Sequence, residues 1–108
     1  DIYYSTGGGP EGVIVAAALS CFGGQIQGRL IMDEDERVRA KKLGIQDFNK
    51  KYNIDDMVKG DVIFCATGVT TGDLAKGVED LGNEFKVTTF ALHKSQNIIK
   101  TISNIYNK

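Results

Sequence analysis

Close to the amino terminus lies the segment Tyr3-Tyr4-Ser5-Thr6-Gly7-Gly8-Gly9-Pro10-Glu11-Gly12-Val13, and the rest of the chain can be interpreted outward from it. Residues 1–4 are mostly large, apolar and β-prone, and the three glycines that follow tolerate close approaches that a Cβ forbids. Pro10 suits the first turn of a helix, where its missing N–H would have had no partner. Residues 13–22 form an apolar run that ends at Gly23-Gly24. The pattern predicts a strand over residues 1–4, a glycine turn and a helix.

The glycine turn allows two interpretations. Free N–H groups at the start of a helix can hold an anion, most commonly phosphate. The Glu11 carboxylate would repel that phosphate unless a cation lay between them, and Mg²⁺ and Mn²⁺ bind both carboxylate and phosphate oxygens. The alternative is a tight turn in which Glu11 is simply favoured by the helix dipole. The local pattern leaves both interpretations open.

Length and composition limit the class of protein. The 108 residues fit a single domain spanning residues 1–108, and 42% hydrophobic with 25% charged residues is ordinary globular composition. The formal net charge of −1 argues against nucleic acid or an anionic membrane as a partner. No apolar run reaches the roughly 20 residues that cross a bilayer, and no signal peptide is recognisable.

The cysteines and the first residue indicate the cellular setting. Cys21 and Cys65 each lie in an apolar run, with no second Cys or His at metal-binding spacing. We therefore expect two buried, reduced thiols and a cytoplasmic protein. The start at Asp1, without a methionine, suggests a piece of a longer chain.

Periodicity and capping signals predict a succession of short elements after the first helix. They are a strand over Gln25–Met32, a charged helix from Asp33 to Gly44, a one-turn helix over Asn53–Val58, a strand over Asp61–Ala66, a loop over Thr67–Leu74, a turn or hairpin over Gly77–Glu84, a strand over Phe85–Leu92, and from Ile98 either a last strand or a short helix. The apolar run of Asp61–Ala66 is typical of a strand covered on both faces. The sequence thus predicts an α/β domain, with Val13, Val15 and Ala16 of the first helix facing the sheet.

Other polar groups have a structural explanation that is simpler than a functional one. Arg29 fits an exposed face, and the acidic run at residues 33–36 fits the start of a helix, where the dipole favours acids. The hydroxyls of Thr67–Leu74 could contact a substrate, but turn chemistry accounts for them. His93 has no acid or nucleophile in its sequence context, so we do not expect it to be catalytic.

Three stretches together resemble a known family, the class II fructose-1,6-bisphosphatases, and in particular the carboxy-terminal part of these enzymes. The stretches are Gly7-Gly8-Gly9-Pro10-Glu11-Gly12-Val13, Gly23-Gly24-Gln25-Ile26-Gln27-Gly28-Arg29-Leu30, and residues 55–70 from Asp55 to Thr70. Thr88-Thr89 and the strand after them resemble the family's end. The likeness runs in order through nearly the whole chain, which makes it more specific than any single motif.

The resemblance implies a layered α/β sandwich, the carboxy-terminal domain of the sugar-phosphatase (inositol-phosphatase-like) fold. It also implies hydrolysis of the 1-phosphate of fructose 1,6-bisphosphate, in gluconeogenesis and glycerol metabolism, with Mn²⁺ or Mg²⁺ as cofactor. Glu11 matches the family's metal-binding glutamate, and Gly8 matches a glycine of the same turn that contacts substrate. Some members of the family also act on sedoheptulose 1,7-bisphosphate.

The chain departs from the family in what it lacks. The family's other metal-binding carboxylates and its basic residues for substrate phosphate lie upstream of the matching region. The resemblance therefore implies that the missing amino-terminal half is the main partner of this chain, that no residue here is catalytic by itself, and that a homo-oligomer is possible. A sugar-phosphate-binding module without chemistry and a purely structural piece remain the alternatives.

Overall fold

A four-stranded antiparallel sheet forms the centre of the computed structural model, which describes all 108 residues. The elements are α1 (Gly9–Phe22), β1 (Gln27–Arg29), α2 (Glu34–Lys42), β2 (Lys51–Asn53), α3 (Ile54–Met57), β3 (Ile63–Thr67), β4 (Glu79–Asp80), β5 (Glu84–His93) and β6 (Ile98–Asn107). β5 is central, because β6 pairs with its whole length and β3 and β4 share its other edge. β1 and β2 form a separate antiparallel pair.

The predicted first helix is present, and it begins four residues earlier than the apolar run. Gly8 is its N-cap, Pro10 lies in its first turn, and Gly23 ends it in the left-handed conformation at φ 72°. The N–H of Gly24 then donates to the carbonyl of Leu19 at 2.9 Å. These are the signals that start and stop a helix at proline and glycine, so its bounds follow from local sequence.

α1 packs on one face of the sheet, as predicted. The rings of Phe22 and Phe90 stack with their centroids 6.3 Å apart, and the Cys21 thiol lies 3.9 Å from the carbonyl oxygen of Val62. Ala16 is fully buried. Val13 and Val15, expected to face the sheet, are 43% and 49% exposed, because the apolar residues of this helix lie on all its sides and one side alone meets the sheet.

The second face of the sheet is open, which corrects two expectations. Side chains alternate along β3, so Phe64 and Ala66 lie on the α1 side while Ile63 and Cys65 lie on the other. Ile63 is 69% exposed and Cys65 is also exposed. β3 is therefore covered on one face only, and the prediction of a buried thiol at residue 65 was wrong.

The amino-terminal strand is absent. Residues 1–8 have no regular secondary structure, and Ile2 and Tyr4 are 98% and 96% exposed. A strand needs a neighbour to satisfy its N–H and C=O groups, and no strand of this chain pairs with the segment. For the same reason the strand expected over residues 25–32 is reduced to the three residues of β1 that pair with β2.

The remaining local predictions are largely confirmed. Asp33 caps α2 in a reciprocal capping box with Glu36, which accounts for the acidic run as the start of a helix. α3 is the predicted one-turn helix, with Asn53 as its N-cap. The segment from Ile98 is a strand and not a helix, since it pairs with β5 over ten residues.

The molecule is extended and little of it is buried. Six of the 108 residues are buried, among them Ala16, Thr88 and Leu92. The radius of gyration is 17.9 Å, against about 13 Å for a compact domain of this length. None of the helices has both the length and the apolar character needed to cross a membrane.

Candidate functional site

The glycine turn forms the beginning of α1. Gly8, the N-cap, has extended backbone angles of φ −67° and ψ 150°, and the N–H of Gly12 donates to its carbonyl oxygen at 3.1 Å. Glu11 is therefore the third residue of the helix. A carboxylate there is favoured by the positive end of the helix dipole and by the N–H groups of the first turn.

Gly8 and Glu11, the two site residues implied by the resemblance, lie against each other. The Glu11 side chain folds back over the Cα of Gly8, so that a Cβ added to Gly8 would overlap the carboxylate oxygen Oε2 and stand 3.0 Å from Cδ. Gly7 and Gly9 have nothing within 4 Å of the same position. The space above the middle glycine is thus occupied by one carboxylate, and the space beside the other two is open.

The Glu11 carboxylate is exposed, and the four ion pairs of the chain lie elsewhere. It is free to act as an oxygen ligand of the kind that Mg²⁺ and Mn²⁺ prefer. No group of three or more His, Cys, Asp or Glu side chains is placed to hold a metal ion. The chemistry of the Glu11 carboxylate therefore fits a single oxygen ligand of a divalent cation.

The loop after β3 is tightly closed and does not reach Gly7 or Gly9. Gly77 donates its N–H to the Thr71 hydroxyl at 3.0 Å, and the Thr67 and Thr89 hydroxyls lie 2.9 Å apart across two strands. Nothing lies within 4 Å of a Cβ built on Gly7 or Gly9. The hydroxyls of Thr67 and Thr71 thus serve turn and sheet contacts, as the sequence indicates.

A cluster that local sequence did not indicate forms around His93. Asp61 Oδ2 accepts from His93 Nε2 at 2.8 Å and from the Ser95 hydroxyl at 2.7 Å, and Oδ1 accepts from the Ser95 N–H at 2.9 Å. The hydrogen bonds from Ser95 and His93 hold the pKa of the Asp61 carboxyl well below its usual range. His93 and Ser95 lie 32 and 34 residues after Asp61, and the pairing of β3 with β5 brings them together. Local sequence therefore gives no sign of the cluster.

The geometry of this cluster is not that of a nucleophilic triad. In a triad the acid and the nucleophile contact different ring nitrogens of the histidine. Here Asp61 and Ser95 both contact Nε2, with the Ser95 hydroxyl 3.3 Å away, and the same hydroxyl donates to the acid. The cluster is a clamp that joins the start of β3 to the turn between β5 and β6.

Comparison with known proteins gives relatives along almost the whole chain. It is 34% identical to fructose-1,6-bisphosphatase 2 class 2 of Escherichia coli over 98% of its length, which is 37% of that protein. It is 35% identical to the D-fructose 1,6-bisphosphatase class 2/sedoheptulose 1,7-bisphosphatase of a Synechococcus species, over 94% of its length and 33% of that protein. A class 2 fructose-1,6-bisphosphatase of Haemophilus influenzae is 34% identical over 98% of this chain and 36% of its own length.

The chain spans about a third of the length of these curated relatives. A family model described as bacterial fructose-1,6-bisphosphatase, glpX-encoded, matches residues 1–106, which include the Gly8–Glu11 turn and the clamp at His93. With that match across nearly all of its residues, the chain belongs to the family of glpX-encoded bacterial fructose-1,6-bisphosphatases.

Proposed function

We propose that this chain forms one wall of the active site of a longer class II fructose-1,6-bisphosphatase. The reaction is the hydrolysis of the 1-phosphate of fructose 1,6-bisphosphate in the cytoplasm. The observation that carries the proposal is the family match, because it runs through the turn where the exposed Glu11 carboxylate stands. The names of the relatives support fructose 1,6-bisphosphate as the substrate.

In this proposal Glu11 supplies one carboxylate ligand to Mn²⁺ or Mg²⁺, and the backbone of Gly8 meets the substrate. A divalent cation, when bound, polarises a phosphoryl oxygen and lowers the pKa of a water molecule. The part of this chain is to place the carboxylate by means of the first turn of α1. The open space beside Gly7 and Gly9 allows a ligand to approach the backbone.

The amino-terminal remainder of the enzyme is the proposed partner, because the chain spans about a third of its relatives' length. The accessible surface is 8443 Å², whereas a compact monomer of 11.8 kDa exposes about 5,900 Å². The excess of about 2,500 Å² on this chain alone is well above the roughly 800 Å² that each partner buries in a standard protein–protein interface. It includes apolar side chains on the outer side of α1 and on the open face of the sheet, such as Ile14, Ile63 and Tyr106.

Two alternatives are separable by assay. One is the hydrolysis of sedoheptulose 1,7-bisphosphate, favoured by the names of the two Synechococcus relatives. The other is a sugar-phosphate-binding module without chemistry, in which the open space beside Gly7 and Gly9 would receive the ligand. Phosphate release from the two bisphosphates by the full-length enzyme distinguishes the first alternative. Binding of substrate without any release would support the second.

The test of the proposed role of Glu11 is Glu11→Gln in the full-length enzyme. The change keeps the shape of the side chain and removes its charge, so we expect the Mn²⁺ dependence of activity to shift by more than about 10-fold and turnover to fall. A first-turn glutamate that only favours the helix would cost about 0.3–1 kcal/mol of stability and leave metal dependence unchanged.

Glu34→Gln is the matched control, because Glu34 is an acid in the first turn of α2 and lies outside the proposed site. It should leave the Mn²⁺ dependence as in the wild type. A melting curve of each variant separates folding from metal binding. If Glu11→Gln and Glu34→Gln behave alike, Glu11 is not a metal ligand and the proposed role is wrong.

A further inference from the structure

The contact between Gly8 and the Glu11 carboxylate distinguishes this glycine from its neighbours. A Cβ at Gly8 would stand where the Glu11 carboxylate lies, with Oε2 as the nearest atom. At Gly7 and Gly9 the same Cβ would meet nothing within 4 Å. Three successive glycines thus have different surroundings, and only the middle one leaves room for the side chain of Glu11.

The backbone of Gly8 does not itself require glycine. Its angles, φ −67° and ψ 150°, are those of ordinary extended backbone that any residue adopts. Gly8 is also an N-cap, a position where serine stabilises a helix at least as well as glycine. Neither backbone strain nor helix capping explains a glycine here, whereas the folded-back carboxylate does.

We infer that Gly8 is a positioning residue for Glu11: the missing side chain holds open the space in which the carboxylate sits above the first turn of α1. The inference rests on the proposed role of Glu11 as a metal ligand and goes beyond the contact of Gly8 with substrate. Any side chain at residue 8 displaces the carboxylate, which is the flexible end of its side chain, and leaves the helix in place.

The test compares Gly8→Ser with Gly12→Ala in the full-length enzyme, with Mn²⁺ alone as the probe. Serine restores a capping hydroxyl, so the melting temperature of Gly8→Ser should equal or exceed that of the wild type. Its Mn²⁺ dissociation constant, measured from the spectroscopic signal of free Mn²⁺, should rise about 10-fold or more, as for loss of a group that orients a metal ligand. Gly12→Ala should bind Mn²⁺ within about twofold of the wild type, because Gly12 is helical and a Cβ there has nothing within 4 Å beyond the helix itself.

The double variant shows whether Gly8→Ser weakens Mn²⁺ binding through Glu11. If Gly8 acts through Glu11, adding Gly8→Ser to Glu11→Gln should weaken Mn²⁺ binding no further, since the ligand is already lost. Additive losses in the double variant would overturn the inference. So would an unchanged Mn²⁺ dissociation constant for Gly8→Ser with a raised KM at saturating Mn²⁺, which is the result for a glycine that contacts substrate alone.

The two proposals fail differently. If Glu11→Gln leaves Mn²⁺ binding unchanged, the proposed metal-ligand role of Glu11 fails, and the inference for Gly8 fails with it. If Glu11→Gln weakens Mn²⁺ binding and Gly8→Ser does not, the metal ligand stands and only the positioning role of Gly8 is overturned. If Gly8→Ser lowers the melting temperature as well as the Mn²⁺ affinity, the inference is also overturned, because loss of folded protein would then explain the weaker binding.

Discussion

At the scale of single residues, hydrogen bonds link the ionisation of Asp61 to folding. Its carboxylate accepts hydrogen bonds from the Ser95 side chain, from His93 and from the N–H groups of Ser95 and Val62. These bonds favour the charged form, so the pKa of Asp61 in the folded protein lies well below its usual range. Between the two pKa values the unfolded chain binds more protons than the folded one. The stabilisation by Asp61 is therefore fully present above about pH 4 and is lost as the pH falls below it.

Replacing Asp61 by Asn should remove this pH dependence. We expect the wild type to lose stability relative to Asp61→Asn as the pH falls from 5 toward 3, so that the difference between their denaturation midpoints shrinks. Urea unfolding at a series of pH values measures this difference. Asp73→Asn, which changes an exposed aspartate of the loop after β3, controls for the general effect of removing one acid. A constant difference between wild type and Asp61→Asn across this range would contradict the assignment of the clamp.

The separation of two residues along the sequence explains which contacts of the site could be predicted. Gly8 and Glu11 are three residues apart, so their proximity follows once a helix is placed at Pro10. Asp61 and His93 meet only because Ile63 pairs with His93 across two strands, and that register depends on contacts along the entire sheet. His93 was not expected to be catalytic because no acid lies near it in the sequence. Its partner Asp61 is 32 residues away along the chain.

At the scale of elements, the loop between β3 and β4 is held closed by two glycines. A Cβ on Gly68 would overlap the backbone carbonyl of Lys76, and a Cβ on Gly77 would stand 2.7 Å from backbone atoms of Thr70 and Thr71. Backbone atoms cannot move aside as a flexible side chain can. The N–H of Val78 also donates to the carbonyl of Val69 at 3.1 Å, which fixes the base of the loop.

Gly77→Ala should therefore destabilise the protein by about 1–3 kcal/mol, the usual cost of forcing an extra methyl group into a packed position. Gly72→Ala is the matched control, since it lies in the same loop and has nothing within 4 Å of the added Cβ. We expect it to change stability by less than about 0.5 kcal/mol. Urea denaturation of both variants makes the comparison. Equal effects would show that the loop is not closed around Gly77.

Elements with local signals were predictable, and those that depend on partners were not. Pro10 and Gly23 bound α1, and Asp33 with Glu36 bounds α2, so both helices follow from short stretches of sequence. Residues 1–4 have the composition of a strand, yet no strand of this chain pairs with them. The predicted strand was wrong because β propensity does not supply a hydrogen-bonding neighbour.

At the scale of the whole molecule, the extended shape and the exposed apolar surface fit the proposed packing against the rest of a longer enzyme. The radius of gyration of 17.9 Å exceeds the value for a compact domain of about 13 Å, and α1 has apolar residues on sides that meet nothing. Helices that are apolar all round are normally buried on all sides. The chain likewise provides Glu11 but no cluster of metal ligands. More protein packed on α1 and on the open sheet face would cover this apolar surface, and under the proposed function it would supply the further metal ligands.

The separately expressed 108-residue chain should therefore release no phosphate from fructose 1,6-bisphosphate in the presence of Mn²⁺. Metal-assisted phosphoryl transfer needs several oxygen ligands and a positioned water molecule, and the only free carboxylate at the turn is that of Glu11. The measurement is phosphate release with increasing amounts of chain. Circular dichroism of the same sample shows whether its helices and strands are formed.

Mixing the chain with the separately purified remainder of the enzyme is the positive control. Activity should appear with the wild-type chain and fall sharply with Glu11→Gln. Turnover that scales with the amount of isolated chain and survives Glu11→Ala would contradict two proposals. The reaction would then need neither the rest of the enzyme nor the Glu11 carboxylate, so other residues of this chain would carry it.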